Sequence, residues 1–192
     1  HLPGGHKPLN FVHKLAYGST RHVQTYAGPI EIYGDKLMLC IVHDITEQKR
    51  LEEQLEHAAH HDAMTGLLNR RQFYHITEPG QMQHLAIAQD YSLLLIDTDR
   101  FKHINDLYGH SKGDEVLCAL ARTLESCARK GDLVFRWGGE EFVLLLPRTP
   151  LDTALSLAET IRVSVAKVSI SGLPRFTVSI GVAHHEGNES ID

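Results

Sequence analysis

Two glycines and two glutamates interrupt an apolar stretch of this chain, and they constrain its fold more than any other feature. The segment Gly138-Gly139-Glu140-Glu141 is followed at once by the apolar run Phe142–Leu146. Paired glycines permit a sharp turn and leave the backbone open to a ligand. Neighbouring strand residues point to opposite faces, so one glutamate can meet a metal ion while the other faces elsewhere. The pattern predicts a β-hairpin whose acidic tip binds a ligand. The competing explanation is an ordinary hairpin whose acids are simply solvated.

A second acidic motif follows an apolar run further upstream. The run Leu93–Ile96 ends in Asp97 and Asp99, which places carboxylates at the end of a core strand, where open α/β sheets bind their ligands. Such oxygen atoms suit Mg²⁺ together with phosphates. A short helix is predicted over 101–107, with its N-terminus facing an anion at the same place, and Lys102 adds a positive charge. With the hairpin, this segment predicts a site for a metal-bound nucleoside triphosphate; the alternative is separate solvated acids on separate turns.

Four motifs in a fixed order carry a family resemblance. They are Asp62–Phe73 (DAMTGLLNRRQF), Asp97–Asp114 (DTDRFKHINDLYGHSKGD), Gly138–Phe142 (GGEEF) and Thr177–Gly181 (TVSIG). Through these residues the chain resembles the GGDEF family, the diguanylate cyclases. The resemblance implies an α+β fold (an α/β sandwich) in which a central, mostly antiparallel sheet is flanked by helices. That arrangement is similar to the palm of nucleotide cyclases and polymerases.

The resemblance also implies roles for matched residues in metal and base binding. Asp97 and Glu140 resemble the side-chain ligands of two Mg²⁺ ions per active site, with Mn²⁺ as an alternative ion. The carbonyl of Thr98 would complete this metal site. Asn105 and Asp114 resemble the residues that bind guanine, Asp114 accepting from the N1 and exocyclic amine edge. Adenine lacks this donor pattern and would leave both side chains unpaired.

Further implied roles concern the triphosphate and the chemistry. Phe101 and Lys102 match the positions that hold the β and γ phosphates through backbone N–H groups and the ammonium. Gly138-Gly139 would lie against the substrate. Glu141 stands where the family also has an acid, and it would help to position the metal or the attacking hydroxyl. The general base is left open between Glu140, Glu141 and a metal-bound water.

A charged helix end precedes the hairpin. Arg129 and Asp132 flank a glycine, which is also what an ordinary helix stop looks like. In the family, an Arg-x-x-Asp at this place resembles an inhibitory site for the product. A guanidinium can form a bidentate hydrogen bond with phosphate and can stack on guanine. Thr160 aligns with the family's secondary inhibitory arginine, and Arg162 follows two positions later. Product inhibition is therefore expected, with an incomplete second half of its site.

The implied activity is that of a diguanylate cyclase, which condenses two GTP to cyclic di-GMP and releases two pyrophosphates. Each subunit would hold one GTP, so a homodimer is required, and catalysis rests on metal charge stabilisation and positioning. One alternative is a catalytically idle module that binds GTP or cyclic di-GMP as a regulatory sensor. Another is an enzyme making mixed cyclic dinucleotides. The acidic and amide residues of the motifs are intact, which argues against an idle module. Asp114 favours guanine, which argues against mixed cyclic dinucleotides.

Composition excludes several other classes. The formal net charge of −5 argues against nucleic acid as a partner, because binding its backbone requires a basic surface. Cys40, Cys118 and Cys127 are odd in number and lie in apolar contexts, which predicts reduced, buried thiols and a cytoplasmic setting, bacterial under the family resemblance. The longest apolar runs have the length of strands, so no membrane segment is expected in this chain. A larger or membrane-tethered sensor protein could still contain it.

Three regions follow one another along the chain. Residues 1–45 alternate as three strands and resemble the C-terminal strands of a PAS sensor domain, with an unrelated β appendage as the alternative. Residues 46–61 form an amphipathic helix, interpreted as a signalling linker that dimerises. Residues 62–192 form the catalytic domain. The family continues with a helix and strand that help to clamp the triphosphate, so the C-terminal end of the domain is expected to be missing.

Within the catalytic domain the hydrophobic pattern predicts each element in turn. Asp62 is expected to begin the opening helix. The predicted order is a helix over 70–76, a variable loop near 79–80, a strand over 91–98, a short helix over 101–107, a long helix over 113–129, a hairpin over 133–146, a helix over 151–165 and a strand segment over 175–183.

Overall fold

A computed structural model gives the fold, and it describes residues 7–78 and 90–186. The chain forms two compact units, His1–His57 and Ala58–Asp192. Across the part of the chain that the structure describes, no helix is both long enough and apolar enough to cross a membrane.

The first unit contains a small antiparallel sheet and most of the helix that follows it. Its strands are β1 (Leu9–Lys14), β2 (Thr20–Ile32) and β3 (Asp35–Asp44), in the order β1-β2-β3, and helix α1 spans Thr46–His60. The sheet is mostly solvent-exposed, and α1 has no buried residue. The predicted three-stranded meander and the helix after it are confirmed, whereas the PAS resemblance stays a prediction.

The second unit is a five-stranded sheet with helices on both sides. Its strands are β4 (Leu68–Asn69), β5 (Asp90–Thr98), β6 (Leu133–Gly138), β7 (Glu141–Pro147) and β8 (Val178–Glu186). Its helices are α2 (Arg70–Thr77), α3 (Phe101–Tyr108), α4 (His110–Cys127) and α5 (Leu151–Val165). The strand order is β4-β6-β7-β5-β8, and every pairing is antiparallel except that of β4 with β6. The predicted α+β fold is confirmed.

Strand alternation divides the core of the second unit into two layers, because successive side chains point to opposite faces. Ile96 and Leu144, both fully buried, belong to the larger layer, which α3, α4 and α5 cover. Val143 and Leu145 face the other way and pack with Ile76 of α2. The predicted apolar face of α4 is confirmed. It consists of Val116, Leu117, Leu120, Ala121 and Leu124. The acidic ends of β5 and β7 are thus held on a rigid, well-packed sheet.

Two predicted helix starts and one burial prediction are wrong. Asp62 lies in a turn, where its Oδ1 accepts from Thr65, and α2 begins only after Asn69, whose side chain accepts from the backbone N–H of Gln72. Helix α4 begins at His110 and not at residue 113, because α3 and α4 are separated only by a glycine. The thiols are less buried than predicted. Cys40 is exposed, and Cys118 and Cys127 are partly buried. The loop predicted near 79–80 lies outside the described residues.

Candidate functional site

Sheet register brings the predicted metal ligands together. Asp97, near the end of β5, lies opposite Glu141 of β7 on one side and Ser179 of β8 on the other. Thr98 is fully buried, and its hydroxyl donates to the backbone carbonyl of Glu140 at 3.4 Å. The antiparallel pairing of β5 with β7 therefore places Asp97 beside the hairpin tip that carries both glutamates.

The two glycines form the tip of the hairpin, as predicted. Gly138 has φ of 156° and Gly139 has φ of 52°, backbone conformations that strongly favour glycine. A Cβ atom added to either would meet no other atom within 4 Å. The glycines are therefore required by the backbone and not by crowding, and the space above the tip is open to a ligand.

Glu140 is partly buried and lies near two other carboxylates. Burial, followed by the nearby carboxylates of Asp97 and Glu141, raises the pKa of Glu140 above its ordinary value. A bound cation would reverse this repulsion, and the carboxylates offer the hard oxygen atoms that Mg²⁺ prefers. Among the described residues, no group of three or more His, Cys, Asp and Glu is arranged to hold a metal ion. Mg²⁺ is commonly held by one or two carboxylates plus substrate phosphates, so the residues present fit that ion.

Asp99 is not available to a metal in the way that Asp97 is. Its two carboxylate oxygens accept hydrogen bonds from the hydroxyls of Thr177, at 2.5 Å, and Ser179, at 2.6 Å. Its backbone N–H donates to the carbonyl of Thr177 at 3.0 Å. The Ser179 bond, then the Thr177 bond, lowers the pKa of Asp99. Asp99 therefore fastens the TVSIG motif to the end of β5.

The start of α3 presents free backbone donors close to the carboxylates. Arg100 adopts a left-handed conformation with φ of 56°, and the first helical bonds are those donated by His103 and Ile104 to its carbonyl. The N–H groups of Phe101 and Lys102 precede these bonds and can face an anion. The Lys102 side chain is exposed, and no ion-pair or hydrogen-bond partner is found for it within the described ranges. These positions agree with the predicted phosphate contacts.

Asn105 and Asp114 lie on the two helices that follow. The Oδ1 atom of Asn105 is buried and has no hydrogen-bond partner among the described residues. Leaving such an acceptor unpaired costs about 1–3 kcal/mol, so its position favours a ligand donor. Asp114 is exposed in the first turns of α4, and its carboxylate has no side-chain partner in the described part of the chain. Both predicted base-binding groups are thus free to accept hydrogen bonds.

Arg129 and Asp132 bind each other. The guanidinium Nε lies 3.0 Å from Asp132 Oδ1, and the Arg129 backbone N–H donates to the other carboxylate oxygen at 2.9 Å. Arg129 Nη2 also donates to the carbonyl of Pro147 and to the hydroxyl of Thr149. A cavity of about 390 Å³ is lined by both residues and by Lys130. The Arg129 side chain is 55% exposed, so part of it remains accessible to a ligand.

The second half of the predicted inhibitory site has no free arginine. The hydroxyl of Thr160 donates to the carbonyl of Ser156 within α5. Arg162 pairs with Glu159 at 2.7 Å, one turn earlier on the same helix. The departure noted in the sequence therefore persists in the structure.

Sequence reasoning missed Arg136, which fixes the hairpin tip. Its Nη2 donates to the Gly139 carbonyl at 2.9 Å, and its Nη1 donates to Asp62 Oδ1 at the same distance. The Arg136 side chain is only 12% exposed. Burial raises the pKa of Asp62, but hydrogen bonds from Thr65 and Arg136 outweigh it and lower that pKa overall. The signal was the position of Arg136 immediately before the hairpin and of Asp62 at the start of a matched motif.

Comparison with known proteins identifies the family. The profile described as "Diguanylate cyclase, GGDEF domain" matches residues 59–192. That match covers most of the chain, including every site residue described above. The chain belongs to the GGDEF family.

Curated relatives share this domain and are longer than the chain. Diguanylate cyclase DgcM of Escherichia coli O157:H7 is 99% identical over 192 residues, which cover 100% of this chain and 47% of that relative. Diguanylate cyclase VdcA of Vibrio cholerae is 37% identical over 156 residues, covering 76% of this chain and 44% of the relative. The chain therefore spans about half the length of these relatives.

Solved structures share the fold. The coiled coil and GGDEF domain of DgcB from Caulobacter crescentus, in complex with c-di-GMP, matches with a TM-score of 0.65 at 29% identity, covering 75% of this chain and 80% of that chain. The active GGEEF domain of a diguanylate cyclase from Vibrio cholerae matches with a TM-score of 0.57 at 37% identity, covering 64% of this chain and 80% of that one.

Proposed function

We propose that this chain is the catalytic part of a diguanylate cyclase, which condenses two GTP to cyclic di-GMP and releases two pyrophosphates. The observation that carries the proposal is the pair of carboxylates, Asp97 and Glu140, held together at an open glycine tip. Burial, and then the proximity of Asp97, raises the pKa of Glu140, and two carboxylates this close together repel each other without a cation. A metal-bound triphosphate supplies that cation. Membership of the family and the named cyclases among its relatives support the same activity.

Two Mg²⁺ ions per site are proposed as the cofactor, held by Asp97, Glu140 and the Thr98 carbonyl. When bound, such ions neutralise phosphate charge and orient the reacting groups. The chain itself contributes the backbone N–H groups of Phe101 and Lys102, and the Lys102 ammonium, to the β and γ phosphates. The open backbone at the hairpin tip lets the substrate approach without a steric clash.

Guanine would bind between α3 and α4. The Asp114 carboxylate accepts from N1–H and the exocyclic amine, and the unpartnered Asn105 Oδ1 accepts a further N–H. Adenine presents an acceptor where guanine presents N1–H, and it lacks the exocyclic amine at that edge. The exposed Asp114 carboxylate and the buried Asn105 Oδ1 would therefore both lose their donors. This pocket supports GTP as the substrate over ATP.

Two GTP-loaded subunits are needed for turnover, because each chain offers one site. In each half-reaction the 3′ oxygen of one GTP forms a bond to the α-phosphorus of the other, and the bond from that phosphorus to the pyrophosphate oxygen breaks. The 3′-hydroxyl proton passes to Glu140, Glu141 or water. Two such steps close the ring and release two pyrophosphates. The chain's contribution is mainly to position the reactants.

Feedback inhibition is proposed at Arg129 and Asp132. Cyclic di-GMP carries phosphates and guanines that an arginine and a carboxylate can bind together. These residues line a cavity of about 390 Å³ and are joined by an ion pair that a ligand would have to open or share. Since α5 offers no second free arginine among the described residues, inhibition is expected to need more product than in a site with both.

Two further assignments follow from the activity. GTP is a nucleotide of the bacterial cytoplasm, so the proposed reaction places the domain there, within a longer protein that could be membrane-tethered. An idle regulatory module is not favoured, because the residues that would bind metal, phosphate and base are all present and unblocked. The signal that regulates the chain is independent of the proposed reaction.

The test is product formation from GTP. The purified chain is incubated with GTP and Mg²⁺, and the products are identified by mass, with EDTA and ATP as the two control incubations. The expected result is cyclic di-GMP with two pyrophosphates for each product molecule, and no product in either control. A folded, dimeric protein that binds GTP but releases no pyrophosphate would contradict the cyclase and support the idle module.

A further inference from the structure

We propose that Gly113 is a specificity-determining residue of the guanine pocket, because its missing side chain is what allows the Asn105 amide to occupy its position. The inference rests on the proposed function, in which Asn105 and Asp114 bind guanine. Gly113 would support the guanine pocket without contacting the substrate, which accounts for a glycine within a helical turn.

Geometry around Gly113 leaves no room for a methyl group. A Cβ atom built there would overlap Asn105 Oδ1, and it would lie 3.0 Å from Asn105 Cγ and 3.1 Å from Phe101 Cζ. Asn105 and Phe101 are four residues apart on α3, so both face the same point on α4. Gly113 is buried at the crossing of the two helices. The Asn105 amide therefore occupies the space that a side chain at position 113 would need.

Backbone conformation does not explain this glycine. Gly113 lies within α4 and is not among the glycines with positive φ. Glycine in a helix interior is less favourable than alanine by about 0.5–1 kcal/mol. A residue that is unfavourable for the helix is therefore explained by what it leaves space for, and the atom that would be overlapped is the unpartnered Oδ1 of Asn105.

The overlapped atom is the end of a side chain, so the pocket changes more easily than the fold. A methyl at position 113 can be accommodated when the Asn105 side chain swings away and the Phe101 ring shifts by a few tenths of an ångström. That movement removes the Asn105 acceptor from the pocket. The exocyclic amine of guanine has two hydrogens, and Asp114 takes one of them together with N1–H. The remaining amine hydrogen is the donor that suits Asn105 Oδ1.

Gly113→Ala should therefore weaken guanine binding without weakening the fold. The probes are GTP and ITP analogues with a methylene bridge between the α and β phosphorus atoms, which cannot release pyrophosphate. ITP lacks the exocyclic amine. Titration calorimetry of the full chain with Mg²⁺ should show binding of the GTP analogue about tenfold weaker and binding of the ITP analogue nearly unchanged. Thermal unfolding should not fall. Ser111→Ala, at an exposed position on the same helix, is the matched control and should resemble the unsubstituted chain.

A double substitution separates the proposed cause from a general packing effect. Asn105→Ala alone should lose a similar amount of GTP-analogue affinity, and adding Gly113→Ala to it should cause no further loss. Additive losses would overturn the inference, as would an unchanged ratio of GTP to ITP affinity in Gly113→Ala.

Remaining outcomes also decide the matter. Should Gly113→Ala fail to fold, the double variant must fold, because the Asn105 amide is then gone; failure of both overturns the inference. A chain that binds the GTP analogue normally in the Gly113→Ala form overturns this inference alone. An unsubstituted chain that binds neither analogue overturns the proposed function and this inference together.

Discussion

Two aspartates separated by one residue have different roles because of their neighbours. Asp97 lies near Glu140 and adds to the effect of burial in raising the pKa of Glu140, whereas Asp99 has both oxygens bound by the hydroxyls of Thr177 and Ser179. The two residues have the same side chain and nearly the same place on β5. At the scale of single residues, the hydrogen-bond partners decide which carboxylate can bind a cation and which holds a strand end in place.

Glu140→Gln should abolish turnover while the fold survives. Glu140 is only partly buried at the hairpin tip, so its loss should affect the proposed metal site and little of the packing. Loss of about a thousandfold in rate corresponds to about 4 kcal/mol of activation free energy, a reasonable value for a missing metal ligand. Initial rates of cyclic di-GMP formation measure it. A variant that keeps more than roughly a tenth of the rate would contradict the metal role.

In the absence of metal, the difference in stability between Glu140→Gln and the unsubstituted chain should depend on pH. The folded-state pKa of Glu140 is raised, so its contribution to stability is present below its ordinary value of 4.5 and is lost as pH rises through the folded pKa. At neutral pH in EDTA, Glu140→Gln should therefore unfold at an equal or higher temperature than the unsubstituted chain. The difference should vanish in acid. A lower unfolding temperature for the variant at neutral pH would show that Glu140 stabilises the fold.

Asp114→Asn should weaken GTP binding and narrow the preference for GTP over ATP. An amide can donate as well as accept, so it fits the N1–H edge of guanine less well than an acceptor-only carboxylate. Calorimetry with non-reacting GTP and ATP analogues measures both quantities. Because Asp114 is exposed, thermal unfolding should change little and serves as the control. Equal affinity and equal selectivity in the two proteins would remove Asp114 from the base pocket.

At the scale of elements, the hairpin is held at its tip as well as along its strands. Arg136 joins the Gly139 carbonyl to Asp62, in the turn that precedes β4 and α2. The contact therefore links the hairpin tip to the segment that follows α1. We predict that Arg136 is a positioning residue, because it holds the backbone beside Glu140.

Arg136→Ala should lower kcat by about ten- to a hundredfold with a smaller change in KM, because GTP still binds but the Glu140 carboxylate is poorly placed. Asp62→Asn keeps the Gly139 bonds and should have a milder effect. Steady-state kinetics on both variants, with circular dichroism to check the fold, measure this. If Arg136→Ala raised KM alone, Arg136 would belong to substrate binding and not to the support of the hairpin.

Arg129→Ala should remove product inhibition and leave initial rates intact. Arg129 lies two residues after α4 and contacts Asp132, Pro147 and Thr149, and Pro147 is at the opposite end of β7 from the hairpin tip. A bidentate phosphate contact and a guanine contact would be lost together. Titration of cyclic di-GMP at fixed GTP compares the two proteins, with Arg122→Ala, exposed on α4, as the matched arginine control. Identical inhibition curves would show that Arg129 and Asp132 only end a helix.

At the scale of the whole molecule, the proposed activity requires that two chains come together. Helix α1 has no buried residue, and its Leu51 and Leu55 are 47% and 70% exposed. Exposed leucines four residues apart lie on one face of a helix and favour pairing with a second helix. The proposed reaction requires two GTP-loaded sites to face each other, and we predict that α1 pairs with the same helix of a second chain.

Leu51→Glu with Leu55→Glu should lower specific activity at dilute protein, and activity should recover as protein concentration rises. Like charges on facing helices repel, whereas the sheet of the second unit and its site are unchanged. Sedimentation velocity and initial rates over a hundredfold range of protein concentration test this. Glu53→Gln, an exposed change on the same helix, is the control. A variant that dimerises and turns over like the unsubstituted chain would exclude α1 as the pairing element.

Local patterns in the sequence determined most of the elements. The predicted helix over 151–165 coincides with α5, and the predicted hairpin over 133–146 with β6 and β7. Helical periodicity and strand alternation act over a few residues, and paired glycines impose a turn on their own. The same locality explains why the acids at the end of β5 and the free N–H groups of α3 could be predicted together: they follow one another directly in the chain.

Only the tertiary structure decided which side chains serve the site and which support it. Asp99 binds hydroxyls 78 and 80 residues later in the chain, and Arg136 binds Asp62 across a separation of 74 residues. The space that Gly113 leaves for Asn105 exists only where α3 crosses α4. Such contacts depend on how packed elements meet, and a free carboxylate and a bound one look alike in sequence. The fold assigns their roles because it determines the distances between residues that are far apart along the chain.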